Sequence, residues 1–293
     1  MNGIGQWTLV SYLIEKLNAG GTVTATVITV GGVLLCIVIP YLLGSFNFGL
    51  IISKKKYNDD IRTHGSGNAG TTNMLRTYGT KAAVLTLLGD MAKAALAVSL
   101  GYLIVGTNVE LLDEATGATL RYKDQFGAAI AGLFVMLGHM FPIFYKFKGG
   151  KGVATSAMVI LMISPITCLF CFIIFAVIVL GTRYVSLASM MGMIFYPILL
   201  SAFSGGQNPT ACMIAVFMAV LVVFMHRENI KRLREGKESK VSFSKKKAAG
   251  GTSPAYGETD SPAAETAPTE PKLNLGNDPT AKRKGNKKNK SKK

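Results

Sequence analysis

Four long stretches of this chain contain no Asp, Glu, Lys or Arg: between Lys16 and Lys54, Asp124 and Lys146, Lys151 and Arg183, and Arg183 and Arg227. A fifth apolar stretch, 82–105, is interrupted only by Asp90 and Lys93. A helix crossing the ~30 Å hydrocarbon core of a bilayer needs about 20 such residues. Charged residues make up 16% of the 293, against ~25% in an ordinary soluble domain, and the mean hydropathy is +0.35. A soluble cytosolic enzyme and a disordered chain are both excluded. The expectation is an all-α, polytopic integral membrane protein.

The net charge of +16 is unevenly placed. Residues 240–293 hold 13 Lys+Arg against 5 Asp+Glu, half of the excess, together with 5 of the 10 prolines and no hydrophobic period. Such a segment buries too little apolar surface to offset its ordering entropy. Three parts follow: an N-terminal extracytoplasmic segment 1–22, a transmembrane domain 23–239 and a disordered basic tail 240–293. The start of the chain lacks the basic residues and cleavage site of a secretory signal peptide.

Loop charge sets the orientation. The loops at 53–81 and 146–152 and everything after 226 are basic, whereas 107–124 carries Glu110, Asp113, Glu114 and Asp124 against Arg121 and Lys123. The first group is placed in the cytoplasm and 107–124 outside, with the N-terminus outside. The run from 184 to 226 is too long for one span and should break at Ser204–Pro209. The basic tail stays inside only if 152–182 also turns back. Pro165 supplies the break, giving helices at about 153–163 and 166–182. The count is then seven transmembrane helices, with the motif loops cytoplasmic; one long kinked helix over 152–182 is the alternative.

The polar clusters fall on that cytoplasmic side. The stretch His64–Arg76 mixes glycines with Ser66, Asn68, Thr71, Thr72 and Asn73 and ends on Arg76. Backbone N–H groups, amides, hydroxyls and a guanidinium together suit an anion such as phosphate. Phe147–Thr155 places Lys148 and Lys151 among Gly149, Gly150 and Gly152 where a helix opens, a second phosphate-type site. The spacing of a Walker loop is absent. Asp90 and Lys93 lie one turn apart inside a span, where ionised groups face a bundle interior. Arg183–Ser186 and His226–Glu238 end two further helices, and His226 and Asn229 share a helix face. His139 near a helix end reads as structural. None of the three histidines begins an H-x-x-x-x-D acyltransferase signature, since Ala69, Phe144 and Lys231 stand in the aspartate's place. Cys36, Cys168, Cys171 and Cys212 read as buried apolar residues; the C-x-x-C at 168–171 has no second ligand pair. No metal and no cofactor are expected.

Five segments together, GSGNAGTTNMLRTYG (65–79), GDMAK (89–93), GHMFPIFYKFKGGKGVAT (138–155), RYVSLAS (183–189) and HRENIKRLREGKE (226–238), resemble the motifs of the bacterial acyl-phosphate:glycerol-3-phosphate acyltransferases, the PlsY family. The resemblance covers about 30–238. It implies seven transmembrane helices and transfer of a fatty acyl group from acyl phosphate to the 1-hydroxyl of glycerol 3-phosphate. The products would be lysophosphatidic acid and phosphate, the first step of phospholipid synthesis, at the bacterial inner membrane. Neither acyl-CoA nor acyl carrier protein would be used directly. It also implies that Ser66 and Arg76 are essential, that Gly149, Gly150 and Gly152 with Lys148 and Lys151 form a glycerol-3-phosphate loop, that His226 and Asn229 are a catalytic pair, and that Glu238 is structural. Asn68 and Asn73 join the substrate-binding set and Asp90 the structural one. On this reading Arg76, Lys93 and Lys151 neutralise phosphate oxygens, and Ser66, Ser186 and Asn229 orient the substrates. His226 or a substrate phosphate oxygen takes the proton.

Segments 1–22, 107–124 and 240–293 depart from the family pattern, and so does Val185. The basic clusters at 245–247 and 282–293 suit anionic lipid headgroups, although lysine-rich termini need no partner; no nucleic-acid partner is expected. A transporter for an organic phosphate is the alternative function. It would favour internal repeats and a midplane site, and neither pattern is present in the sequence.

Overall fold

The computed structural model describes residues 8–17, 22–105, 107–112, 119–206 and 208–241. The expected tail, 240–293, lies outside them except for Lys240 and Val241. Among the described residues eleven α-helices follow in chain order: α1 (Leu9–Lys16), α2 (Thr22–Ser45), α3 (Phe48–Tyr57), α4 (Thr71–Tyr78), α5 (Thr80–Val105), α6 (Phe126–Met140), α7 (Val153–Ile163), α8 (Pro165–Thr182), α9 (Val185–Phe203), α10 (Pro209–Met225) and α11 (Arg227–Arg234). Short 3₁₀ turns occupy Ile61–Thr63 and Ile143–Tyr145.

The breaks fall where chain chemistry demands them. Ser164 is extended (φ −148°, ψ 95°), ends α7 and caps α8 with its side chain, and Pro165 takes the first turn of α8, where its missing N–H costs nothing. The stretch 152–182 is therefore two helices rather than one kinked helix. The longest uncharged run turns between Phe203 and Pro209.

The helix count differs from seven full spans. Among the described residues five helices are long and apolar enough to cross a bilayer, or six if the bent pair α10–α11 is one span. The shortfall is α7: its 11 residues rise only about 16 Å, roughly half the hydrocarbon thickness. Among the described residues the fold is all-α apart from one pair of strands. Within the expected outside loop, strands β1 (Thr107–Leu112) and β2 (Thr119–Asp124) pair antiparallel, with Val109 opposite Tyr122 and Leu111 opposite Leu120. Those are the apolar positions of a period-two pattern.

Lipid is the outer solvent of this bundle. Val27, Phe172, Val177 and Leu180 are each more than 60% exposed, an apolar belt that water would not tolerate. Small residues bring the inner helices together. A side chain at Gly44 of α2 would strike the Val135 carbonyl of α6, and one at Gly138 of α6 would strike the Tyr41 carbonyl of α2. So α6 lies hard against α2, and it also packs on α5 and α10. Helices α6, α7, α8, α9 and α10 contact one another in sequence and close through α6–α10. The space in which the polar motifs meet is lined from α4, α5, α7, α8 and α9, with His139 of α6 and Asn229 of α11.

Candidate active site

The loop before α4 is organised by one amide. Asn73 is buried. Its Oδ1 accepts from the Ser66 N–H at 3.1 Å, and its Nδ2 lies 2.9–3.2 Å from the carbonyls of Ile61, His64 and Asn68. Asn68 Oδ1 in turn accepts from the Gly70 N–H at 2.9 Å. Both asparagines, expected among the substrate ligands, line the cavity, and their amide groups also hold the loop that presents Ser66. Arg62, which the sequence reading passed over, ties this loop to the next one. It pairs with Asp60 at 2.6 Å and donates to the Tyr145 carbonyl at 3.1 Å.

The glycine loop divides in two. The N–H groups of Gly149 and Gly150 donate to the Met140 and His139 carbonyls at the end of α6, both at 3.1 Å. A side chain at Gly149 would overlap the His139 carbonyl, and one at Gly150 its ring. These two glycines, expected as phosphate ligands, are required for close approach to α6 and are absent from the cavity wall. Lys148 is exposed and also outside it. Lys151 and Gly152 do face the cavity. Gly152 caps α7 at φ 80°, a left-handed conformation that favours glycine.

Lys151 reaches across to Asn229 and donates to its Oδ1. Asn229 Nδ2 donates to Glu238 Oε1 at 2.6 Å, Ser186 Oγ donates to the same oxygen at 2.7 Å, and Arg232 Nε donates to Oε2 at 2.8 Å. One buried carboxylate thus ties two helices together: α9 through Ser186, and α11 through Asn229 and Arg232. Burial raises the pKa of Glu238, but hydrogen bonds from Ser186, Asn229 and Arg232 and the charge of Arg232 outweigh it and hold the carboxyl below its usual range. Lys151 is pushed down to about 8, by burial first and then by the positive charge of Arg232, with Glu238 opposing and Arg76 adding to it. Arg232 had no assigned role in the sequence; only its i, i+6 spacing from Glu238 hinted at one.

His226 joins α10 to α11 and is 3% exposed. Its Nδ1 lies 2.8 Å from the Val222 carbonyl. A carbonyl only accepts, so Nδ1 carries the hydrogen and Nε2 of the neutral ring holds a lone pair. That is the form a proton acceptor needs.

Lys93 sits differently from its expected place. Its Nζ lies 2.9 Å from Asp90 Oδ1, 2.9 Å from the carbonyls of Gly44 and Phe46, and 3.0 Å from His139 Nδ1. It satisfies the exposed carbonyl end of α2 and does not line the cavity. Its position, at the carbonyl end of α2 rather than on the cavity wall, fits the need of the last carbonyls of a helix in a membrane for a donor. Asp90 and His139 do border the cavity.

The remaining walls converge on a single cavity of about 470 Å³. Ser66, Arg76, Lys151, Ser186, His226 and Asn229 all line it. So do the first residues of α4, α7 and α9, and none of these three helices has a side-chain cap. Uncapped N-termini turn N–H donors and partial positive charge toward the enclosed space. Thr71 Oγ1 is buried there without a hydrogen-bond partner among the described residues. The opposite arm of the cavity is apolar, formed by Ile160, Cys168, Cys171, Phe172, Phe175 and Met193. The cysteines are free thiols, and among the described residues no group of three metal-ligating side chains is present.

A family model described as glycerol-3-phosphate acyltransferase matches residues 34–236. The glycerol-3-phosphate acyltransferase of Neisseria meningitidis serogroup B is 43% identical over 209 residues, which span 71% of this chain and 97% of that protein. This chain belongs to the glycerol-3-phosphate acyltransferase family. The Paraburkholderia phytofirmans member is 42% identical over 225 residues, 76% of this chain and 97% of its own length. Two crystal structures are similar, both of PlsY (YgiH), described as an integral membrane glycerol 3-phosphate acyltransferase. The glycerol 3-phosphate form has a TM-score of 0.61 at 36% identity, covering 72% of this chain and 96% of that one. The lysophosphatidic acid form has a TM-score of 0.59 at 35% identity, covering 72% and 95%. The acyltransferase match leaves out the start of the chain and the basic tail. Helix α1 and residues 242–293 are additions to the shared body.

Proposed function

We propose that this protein transfers a fatty acyl group from acyl phosphate to the 1-hydroxyl of glycerol 3-phosphate, releasing lysophosphatidic acid and inorganic phosphate. The observation that carries this is the two-ended cavity. Its polar end gathers Arg76, Lys151 and three helix N-termini, and its other arm is lined by apolar side chains. One end suits phosphates and the other suits a fatty chain. The relatives' glycerol 3-phosphate and lysophosphatidic acid forms supply the acceptor and the product class.

Acyl phosphate is a mixed anhydride with a good leaving group, so the acceptor hydroxyl can attack the acyl carbonyl directly. The new ester C–O bond forms as the bond from the acyl carbon to the phosphate oxygen breaks. The hydroxyl proton passes to His226 Nε2 or to a phosphate oxygen. Arg76 and Lys151 hold the two phosphates, and Ser66, Ser186 and Asn229 orient them, while Glu238 keeps Ser186 and Asn229 in place. Catalysis then rests on proximity and on donors already aimed at the developing charge. The basic loops support a site at the cytoplasmic face of the bacterial inner membrane, with the N-terminus outside and the tail inside. Membrane lipid supplies the surroundings of the acyl chain.

The test is turnover of glycerol 3-phosphate with palmitoyl phosphate by the wild type and by Arg76→Ala and Asn229→Ala. Loss of about a hundredfold or more in kcat/KM is expected for each variant, as for removal of one preorganised donor. A folded Arg76→Ala or Asn229→Ala protein with full turnover would overturn the assignment.

A further inference from the structure

Gly192 lies in the middle of α9, is buried, and lines the apolar arm of the cavity. A Cβ built on it would meet one atom within 4 Å, the Cys171 carbonyl oxygen at 3.6 Å, an ordinary contact. Helix packing therefore does not demand glycine here, in contrast to Gly44 and Gly138. In a helix interior glycine is less favourable than alanine. A buried glycine with open space where its side chain would stand leaves room for something else. One turn further along α9, Tyr196 is 1% exposed and packed into the core, and it is not part of the cavity wall. On the α8 side Phe172 lines the arm while being 63% exposed. Beyond Gly192 the buried Tyr196 fills the core, and Phe172 is the lining residue of the arm most exposed at the lipid-facing surface.

We propose that Gly192 keeps open the passage through which a long acyl chain leaves the reacting end of the site, so that it decides acceptance by chain length. The assignment rests on the acyltransferase reading above. Ser186 and Gly192 are six residues apart, about 9 Å of helix, or roughly seven extended methylenes. A shorter acyl group ends before it reaches Gly192; a longer one must pass it to reach the lipid at Phe172.

The test uses the full chain in detergent or lipid nanodiscs, with Gly192→Ala and Gly192→Leu beside the wild type. The readout is kcat/KM for butyryl phosphate and for palmitoyl phosphate, with KM for glycerol 3-phosphate measured in parallel. Gly192→Leu should lose about tenfold or more with palmitoyl phosphate and less than about twofold with butyryl phosphate. Gly192→Ala, which fits without displacing a neighbour, should lose about two- to fourfold with palmitoyl phosphate alone. KM for glycerol 3-phosphate should not move. Equal losses for both donors, or no loss with palmitoyl phosphate, would overturn the proposal. If Gly192→Leu fails to fold, the ratio in Gly192→Ala decides by the same rule. A wild type that uses butyryl phosphate but not palmitoyl phosphate contradicts the open passage. A wild type that uses neither overturns the functional reading, and this assignment with it.

Discussion

The ammonium of Lys151 should set the alkaline limit of activity. Burial and the charges of Arg232 and Arg76 push its pKa down to about 8, against the pull of Glu238. A phosphate is attracted by the charged form only, and the proton is lost as pH rises through that value. The charged fraction is about three-quarters near pH 7.5 and about 3% near pH 9.5. If only the protonated form binds glycerol 3-phosphate, kcat/KM falls about 25-fold across that interval. A bound phosphate stabilises the ammonium, so the corresponding limb in kcat should lie at higher pH. Lys151→Arg keeps its charge above pH 12; it should lose activity through altered geometry at Asn229 but show no alkaline limb near 8. The assay is lysophosphatidic acid formation as a function of pH, corrected for spontaneous hydrolysis of the acyl phosphate. A wild-type kcat/KM that stays flat to about pH 10, or a Lys151→Arg protein with the same limb, would refute the role given to this lysine.

Three further outcomes follow from the hydrogen-bond geometry. Glu238→Gln should retain the contacts of Ser186 and Asn229 on one oxygen and set an amide N–H₂ against Arg232 Nε, costing about 1.5 kcal/mol; Arg232 is one-third exposed, which keeps the loss at the low end for a charged hydrogen bond. Thermal unfolding should show a fall of about 3–6 °C, accompanied by a lower kcat; an unchanged melting temperature would mean that Glu238 does not hold α9 to α11. Lys93→Met leaves Asp90, 1% exposed, without its cation and the ends at Gly44 and Phe46 without their donor, a loss of about 3–5 kcal/mol by denaturant titration. Its surviving folded fraction should keep KM for glycerol 3-phosphate within about twofold, and a tenfold rise would return Lys93 to the phosphate. Deleting 242–293 should leave kcat/KM within about twofold of the full chain, because every site residue and the Val241–Arg183 backbone bond at 2.9 Å lie before the cut; a larger loss would give the tail a part in catalysis.

The sequence carried the helix breaks well because they are local. Ser164–Pro165 and Ser204–Pro209 act through their own dihedral restrictions, and both breaks are where the residues put them. It also carried the gathering of polar motifs, since Ser66, Arg76, Lys151, Ser186, His226 and Asn229 share one cavity. What it did not carry depends on partners far along the chain. Lys93 is one turn from Asp90 in sequence, but the carbonyls that hold it belong to Gly44 and Phe46, almost fifty positions earlier. The N–H groups of Gly149 and Gly150 look available in a glycine-rich loop until α6 claims them. Helix α7 reads as a span from its composition and is one only by half, because hydropathy does not register that its 11 residues stop short of the far side. The strand pair 107–112 and 119–124 lies in a loop whose dominant signal is charge, and its alternation of apolar positions is short and weak beside it.

The most direct test of the whole account is product stoichiometry with the purified full-length protein in lipid, supplied with glycerol 3-phosphate and palmitoyl phosphate, with palmitoyl-CoA as the parallel donor. The account predicts lysophosphatidic acid and inorganic phosphate in equal amounts from palmitoyl phosphate and neither from palmitoyl-CoA. Turnover with palmitoyl-CoA, or phosphate released without lysophosphatidic acid by a folded protein, would contradict it.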